Sequence, residues 1–221
     1  MNRAMRQMRW RDDSGMSITE LMVVVVLMGF VLAAAWSIMY AASAASGSLS
    51  ARSVATDESQ TFIDTITREL RQASNLKSLG RSDTNDAAAK AAFSEIAARQ
   101  TTFYADLMHN GHPSKVQYLL TGSTLYRKEW VATNTTYPFT WPASPTKTKV
   151  MIETVDPAWA DSIFIYYTND SLPPTQITSA SKVESVTAVM VQVKNRQVWD
   201  NRSSSYGASS TVRVRAMGNS F

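Results

Sequence analysis

The sequence predicts an α+β protein, with one long N-terminal α-helix whose first half is apolar and a following head built on an antiparallel β-sheet. Three observations predict it. The 25 residues from Leu21 to Ala45 carry no charge and are mostly apolar. No proline occurs before Pro113, although the chain holds seven, so nothing breaks a helix between Ser17 and about Leu76. From Thr101 onward apolar residues recur with a period of two, the pattern of half-buried strands.

Composition narrows the class. The 221 residues contain no cysteine, which removes disulfide scaffolds, Cys-ligated metal centres and cysteine nucleophiles. Eight glycines exclude collagen-like chains, and an 18% charged fraction with 10% aromatics argues against wholesale disorder. The net charge of +4 splits evenly. Arg3, Arg6, Arg9 and Arg11 against Asp12 and Asp13 leave +2 in residues 1–15, and the remainder carries the other +2.

As a helix, Leu21–Ala45 would run roughly 38 Å at about 1.5 Å per residue. That exceeds a hydrocarbon core of about 30 Å, so the segment is long enough to cross a membrane. The arginines ahead of it predict a cytoplasmic N-terminus. Three readings of this region compete: a plain signal anchor, a secretory signal cut after the small residues Ala42-Ser43-Ala44, and a leader cut ahead of the apolar run. Glu20, the only charge between Asp13 and Arg52, bears on the third. An acidic group at the centre of a membrane helix costs about 2.5–3.5 kcal/mol on insertion scales, and less toward the end. It favours a partner, although a Glu that merely marks the helix end is the plainer alternative.

The run Gly15-Met16-Ser17-Ile18-Thr19-Glu20-Leu21-Met22-Val23-Val24 resembles the cleavage and methylation signal of type IV pilins and type II secretion pseudopilins, and Gly29 matches a glycine many of them carry. The resemblance covers roughly residues 10–40. It implies a leader of residues 1–15, cleavage between Gly15 and Met16 by a prepilin peptidase, N-methylation of Met16, and retention of residues 16–45 as a transmembrane and filament-core helix. It also implies that Glu20 pairs with the terminal amine of Met16 on a neighbouring subunit during assembly on an inner-membrane platform. The departures are informative. Met16 stands where the family most often has Phe, no proline lies near Ser37, and no cysteine is available for the disulfide loop of many major pilins. The two absences point to a minor pilin or pseudopilin with a pilin-like fold. The expected location is a single pass through the cell membrane, head outside the cytoplasm, and then a pilus or pseudopilus. Other pilin-like subunits are the expected partners.

After Arg52 the helix turns amphipathic. Phe62, Ile66, Leu70, Ala73 and Leu76 form one stripe widened by Ile63, while Asp57, Glu58, Asp64, Arg68 and Arg71 lie off it. Asp64 and Arg68 have the spacing of an ion pair. Residues 46–79 are therefore the amphipathic second half of the helix, and 80–221 the head. Gly80 and the polar residues to Asp86 end the helix. Asn85–Arg99 is alanine-rich and predicts a short second helix, capped by Ser82 or Asp83, with Phe93, Ile96 and Ala97 inward. A flexible insertion is the alternative there.

Strands follow at Thr101–Leu107, Lys115–Thr121 and Leu125–Val131. Asn110-Gly111 is the turn signal of the first hairpin, and the three form a meander. Residues 132–148, with Pro138, Pro142 and Pro145, make a long loop. Lys149–Val155, Ser162–Thr168, Val183–Lys194 and Thr211–Met217 are further strands, with Pro173-Pro174 marking another loop. The phrase Phe103-Tyr104-Ala105-Asp106, Asn110-Gly111, Lys115-Val116-Gln117-Tyr118-Leu119-Leu120 and Thr124-Leu125-Tyr126-Arg127 is similar to the head of the larger minor pseudopilins of type II secretion, the J class, and of W-class minor pilins.

Few residues suggest chemistry, and no catalytic role or cofactor is expected. His109 and His112 with Asp106 could suggest a metal site, but the two histidines sit in a Gly-containing turn without a third ligand that converges on them, and Gln117 stands where an EF-hand loop needs its Glu. No phosphate loop, nucleophile elbow or HExxH occurs. The loop Tyr137-Pro138-Phe139-Thr140-Trp141-Pro142, near Lys147 and Lys149, mixes aromatics with bases. That composition suits stacking on single-stranded nucleic acid, and packing of the aromatics on the head is the plainer reading. Three functions stay open from sequence: a structural subunit of a pilus or pseudopilus, a DNA-binding minor pilin, and a membrane-anchored extracytoplasmic enzyme or binding protein.

Overall fold

The computed structural model describes residues 17–80, 87–168, 175–177, 180–199 and 202–214. Contacts divide the chain into residues 1–47 and 48–221. Helix α1 runs Ile18–Arg71. Its residues within the first unit span about 45 Å at 1.5 Å per residue.

In the second unit α1 is amphipathic as expected. Ala55, Ser59, Phe62, Ile63, Ile66, Glu69 and Leu70 are buried along one face. The helix is shorter than predicted, ending at Arg71 instead of near Leu76. Gln72 and Ala73 close the last turn with bonds to the carbonyls of Glu69 and Leu70, and Ser74 then donates to the Tyr104 carbonyl. Ala73 pairs with Ala105 as an isolated bridge, so the chain leaves the helix to meet a strand. Leu76 is buried as predicted, but on the separate one-turn helix α2 (Leu76–Leu79), which Asn75 caps. Gly80 ends it under Tyr137, where a Cβ would approach the Tyr137 side chain to 2.8 Å.

The alanine-rich segment departs further from expectation. Among its described residues only Ala87–Lys90 is helical (α3), and Phe93–Ala97 is a strand, β1. The strand alternates against β2 (Gln100–Ala105) after a register shift between Phe93 and Glu95. Phe93 and Ile96 face the core as foreseen, whereas Ala97 is exposed. Strand pairing with β2 overrides the local helix propensity of the alanines. The proposed caps Ser82 and Asp83 lie outside the described residues.

The head holds two antiparallel sheets where one was expected. The first is a meander, β1 to β5 in sequence order, with β3 at Ser114–Thr121, β4 at Thr124–Val131 and β5 at Lys147–Ile152. The second has the order β7-β6-β8-β9, with β6 at Phe164–Thr168, β7 at Thr175–Ile177, β8 at Ala188–Trp199 and β9 at Arg202–Arg213. The Val183 end of the predicted strand is a 3-10 turn, Ala180–Ser185, and the last two strands form one long hairpin instead. Pro173-Pro174 and Met217 lie outside the described residues.

One apolar core is shared by both sheets and the C-terminal part of α1. Phe62 meets Tyr118 edge-on at 5.9 Å, and Phe93 bridges Phe103 and Tyr166 at 6.1 and 6.2 Å. The sheets are also stitched by backbone. Phe164 donates to the Ala98 carbonyl, and the Tyr166 hydroxyl donates to the Gln100 carbonyl at 2.9 Å.

Candidate functional site

The first candidate is the apolar part of α1 in residues 18–47. Side chains on every face are open: Ile18 is 80% exposed, Phe30 70% and Trp36 73%. A helix that is apolar all round belongs in lipid or in a protein interior. Among the described residues this is the one helix long and apolar enough to cross a membrane. Leu21, Gly29 and Ala45 all lie on it, and a Cβ at Gly29 would meet nothing within 4 Å.

Glu20 sits in the first turn of α1. Its amide donates to the Ser17 Oγ at 3.4 Å, and Leu21 N–H bonds the Ser17 carbonyl at 3.0 Å. Ser17-Ile18-Thr19-Glu20 thus starts the helix in the manner of a capping box, a local signal that sequence inspection had available. A carboxylate in the first turn also complements the helix dipole. Among the described residues the Glu20 carboxylate forms no ion pair. Gly15 and Met16 lie outside the described residues.

The second candidate is a buried polar network that joins α1 to the first sheet. Arg127 Nη2 lies 2.8 Å from Glu69 Oε1, and its Nε donates to both Glu69 oxygens at 2.9 and 3.1 Å. Arg127 Nη1 donates to Glu129 Oε2 at 2.9 Å. Tyr118, opposite Arg127 in the β3–β4 register, donates its hydroxyl to Glu69 Oε2 at 2.7 Å. Ser114 donates to Glu129 Oε1 at 3.1 Å. Both carboxylates are over nine-tenths buried. Burial works against the Arg127 charge, but the hydrogen bonds and charge of Glu69 outweigh it and hold the guanidinium above its ordinary pKa. Burial, and then the Glu69 carboxylate, push the Tyr118 hydroxyl well above its ordinary range. Every member is paired, which is the condition for such a network to be tolerated in a core. Its chemistry is structural: it fixes the helix register against the sheet. Sequence reading passed it over, although Glu69 falls three residues after Ile66 on the apolar stripe and Glu129 on the Leu125 face of its strand.

The remaining candidates lie in a turn and a loop of the head. The β2–β3 turn places His109 at φ 53° and Gly111 at φ 78°. Gly111 N–H donates to Asp106 Oδ2 at 3.3 Å, and the His112 ring bonds the Ala132 carbonyl at 3.1 Å. Among the described residues no three His, Asp or Glu side chains converge to hold a metal. The aromatic loop folds onto the head. Trp141 stacks on Tyr104 at 5.8 Å and leans on Phe139 at 6.1 Å, which in turn meets Tyr137 at 6.0 Å. Asp64 and Arg68 do not form the expected ion pair. No protein-family model and no curated protein matches the chain.

Proposed function

We propose that the protein is a structural subunit of a type IV pilus-like or type II secretion filament, a minor pilin or pseudopilin made as a membrane prepilin. The observation that carries this reading is the placement of Glu20. It is the lone charge at the head of an all-round apolar helix, among the described residues it has no ion-pair partner, and it follows Gly15–Met16 at the spacing of a prepilin signal. A carboxylate moved with its helix into a filament core is heavily penalised unless a cation meets it. The terminal amine of a neighbouring subunit's mature chain, after cleavage ahead of Met16, supplies that cation. The packing of residues 55–70 under the two-sheet head supports the same reading, because it leaves the apolar first half to other subunits. Prepilin peptidase and an inner-membrane platform are the partners this life cycle requires. Replacing Glu20 by Ala tests it in a host that assembles the filament. Membrane insertion should persist while incorporation into filaments is lost. Normal incorporation of Glu20→Ala would sink the assembly role.

A further inference from the structure

Free strand edges invite further strands, and proteins blunt them with short length, charge, proline or bulges. Three of the four sheet edges here are blunted. β1 is short with a register shift, β5 carries Lys147 and Lys149 and shifts register against β4, and β7 has three residues. β9 is different. It runs twelve residues in unbroken one-to-one register with β8, and between Arg202 and Arg213 it holds neither a charge nor a proline.

The register shows which of its backbone groups point outward. Gln192 and Arg196 donate to the Ile163 and Thr154 carbonyls, on the side of β8 away from β9. Val189, Val191, Val193 and Asn195 therefore face β9, and their partners are Val212, Ser210, Ala208 and Tyr206. The odd-numbered residues Gly207, Ser209 and Thr211 turn their N–H and C=O groups to the open edge. Among the described residues no backbone hydrogen bond reaches those groups.

Beside this edge lies a groove of about 490 Å³ between α1 and Ser210. Asp64, Arg68 and Arg71 border it, and neither arginine forms an ion pair among the described residues. Thr67 and Gln72 also line it, and their Oγ1 and Oε1 atoms are shut off from solvent with no hydrogen-bond partner among the described residues.

We propose that β9 and this groove accept an extended segment of another protein, which adds as a fifth strand to the second sheet and sets an acidic side chain against Arg68 and Arg71. Main-chain bonds to Gly207, Ser209 and Thr211 give the affinity, and the two arginines give the orientation. A second copy of β9 fits poorly. Antiparallel self-pairing near the strand centre brings the terminal arginines Arg202 and Arg213 of the two copies close together at both ends, and the strand offers the groove no carboxylate. The surface belongs to the head alone, so it stands or falls separately from the filament reading.

The test uses the full chain in detergent micelles and a displayed library of random ten-residue peptides. Recovered peptides should be proline-free, rich in β-branched residues and acidic near one end. They should protect the Ser209 and Thr211 amides from hydrogen exchange. Ser209→Pro removes one outward donor without touching the β8 ladder, and should weaken binding about tenfold, the scale of one main-chain hydrogen bond. Arg68→Glu with Arg71→Glu, on the exposed helix flank, should abolish the acidic preference while the fold, read by thermal melting, is kept. Peptides that bind without protecting those amides, an acidic preference that survives the double change, or a dimer formed through β9 would each overturn the proposal.

Discussion

Glu69 on α1 and Arg127 on β4 are joined by three contacts of 2.8 to 3.1 Å inside the head, and Arg127 simultaneously holds Glu129. One guanidinium thus answers two buried carboxylates. Arg127→Met should cost about 3–5 kcal/mol, the penalty of leaving buried charge uncompensated. For a head of this size that is a fall in Tm of about 10 °C or more. Arg127→Lys should recover little, because an ammonium cannot reproduce the two-pronged contact with Glu69 while reaching Glu129. Thermal melting of the three proteins decides it; an Arg127→Lys protein as stable as wild type would show the network to be ornamental.

Tyr118 makes the same network sensitive to alkali. Its folded-state pKa is raised, so the neutral hydroxyl is the form that the fold favours. Stability from this group is full below the unfolded value of about 10 and is lost as pH rises beyond it toward the folded value. Tyr166, raised mainly by burial, adds to the same alkaline loss. Tyr118→Phe should therefore lower stability at neutral pH and make the decline above about pH 10 shallower. Equal alkaline slopes in the two proteins would remove Tyr118 from the account.

The apolar stripe predicts conventional core losses. Ile66 and Leu70 are completely buried between the sheets and the helix axis. Truncating either to Ala should cost about 2–5 kcal/mol in denaturant melts, through lost burial and the cavity left behind. Val54, half exposed on the same helix, should cost much less on truncation. Comparable losses at Val54 and Ile66 would mean that the stripe is misplaced.

Asn195 is the polar pin between α1 and the second sheet. It is fully buried, donates to Glu58 Oε2 at 2.6 Å, and accepts from Thr154 and from Gln197, the latter at 3.3 Å. Asn195→Ala strips partners from three groups at once and should cost about 1–3 kcal/mol. Combining it with Glu58→Gln should give less than the sum of the single effects, because the two share one interaction. Strict additivity in melting experiments would show that the Glu58 contact contributes nothing.

Much of this fold is legible in the sequence wherever periodicity is strong. The absence of early proline, the 62-66-70 stripe and the alternation in Val116-Tyr118-Leu120 each match an observed element. Failures cluster where long-range pairing beats local preference. The alanines before Phe93 favour helix, yet residues 93–97 complete a sheet edge, and Ala73 leaves its helix to bridge Ala105. The β8–β9 hairpin was hidden because Ser203 to Ser210 lack the β-branched residues that mark strands. Charged core positions were hidden for a related reason: Glu69 and Glu129 read as solvent-facing until Arg127 is placed between them. The candidate assembly residue Glu20 is legible as an isolated charge, and the Ser17 hydroxyl that accepts from its amide is legible as a helix-start signal.

The most direct test of the central reading is the mass of the intact protein recovered from a membrane that contains a prepilin peptidase. The account predicts a chain beginning at N-methylated Met16, with the apolar helix retained. A chain still carrying Met1, or one beginning near Ala45 after loss of that helix, would contradict it.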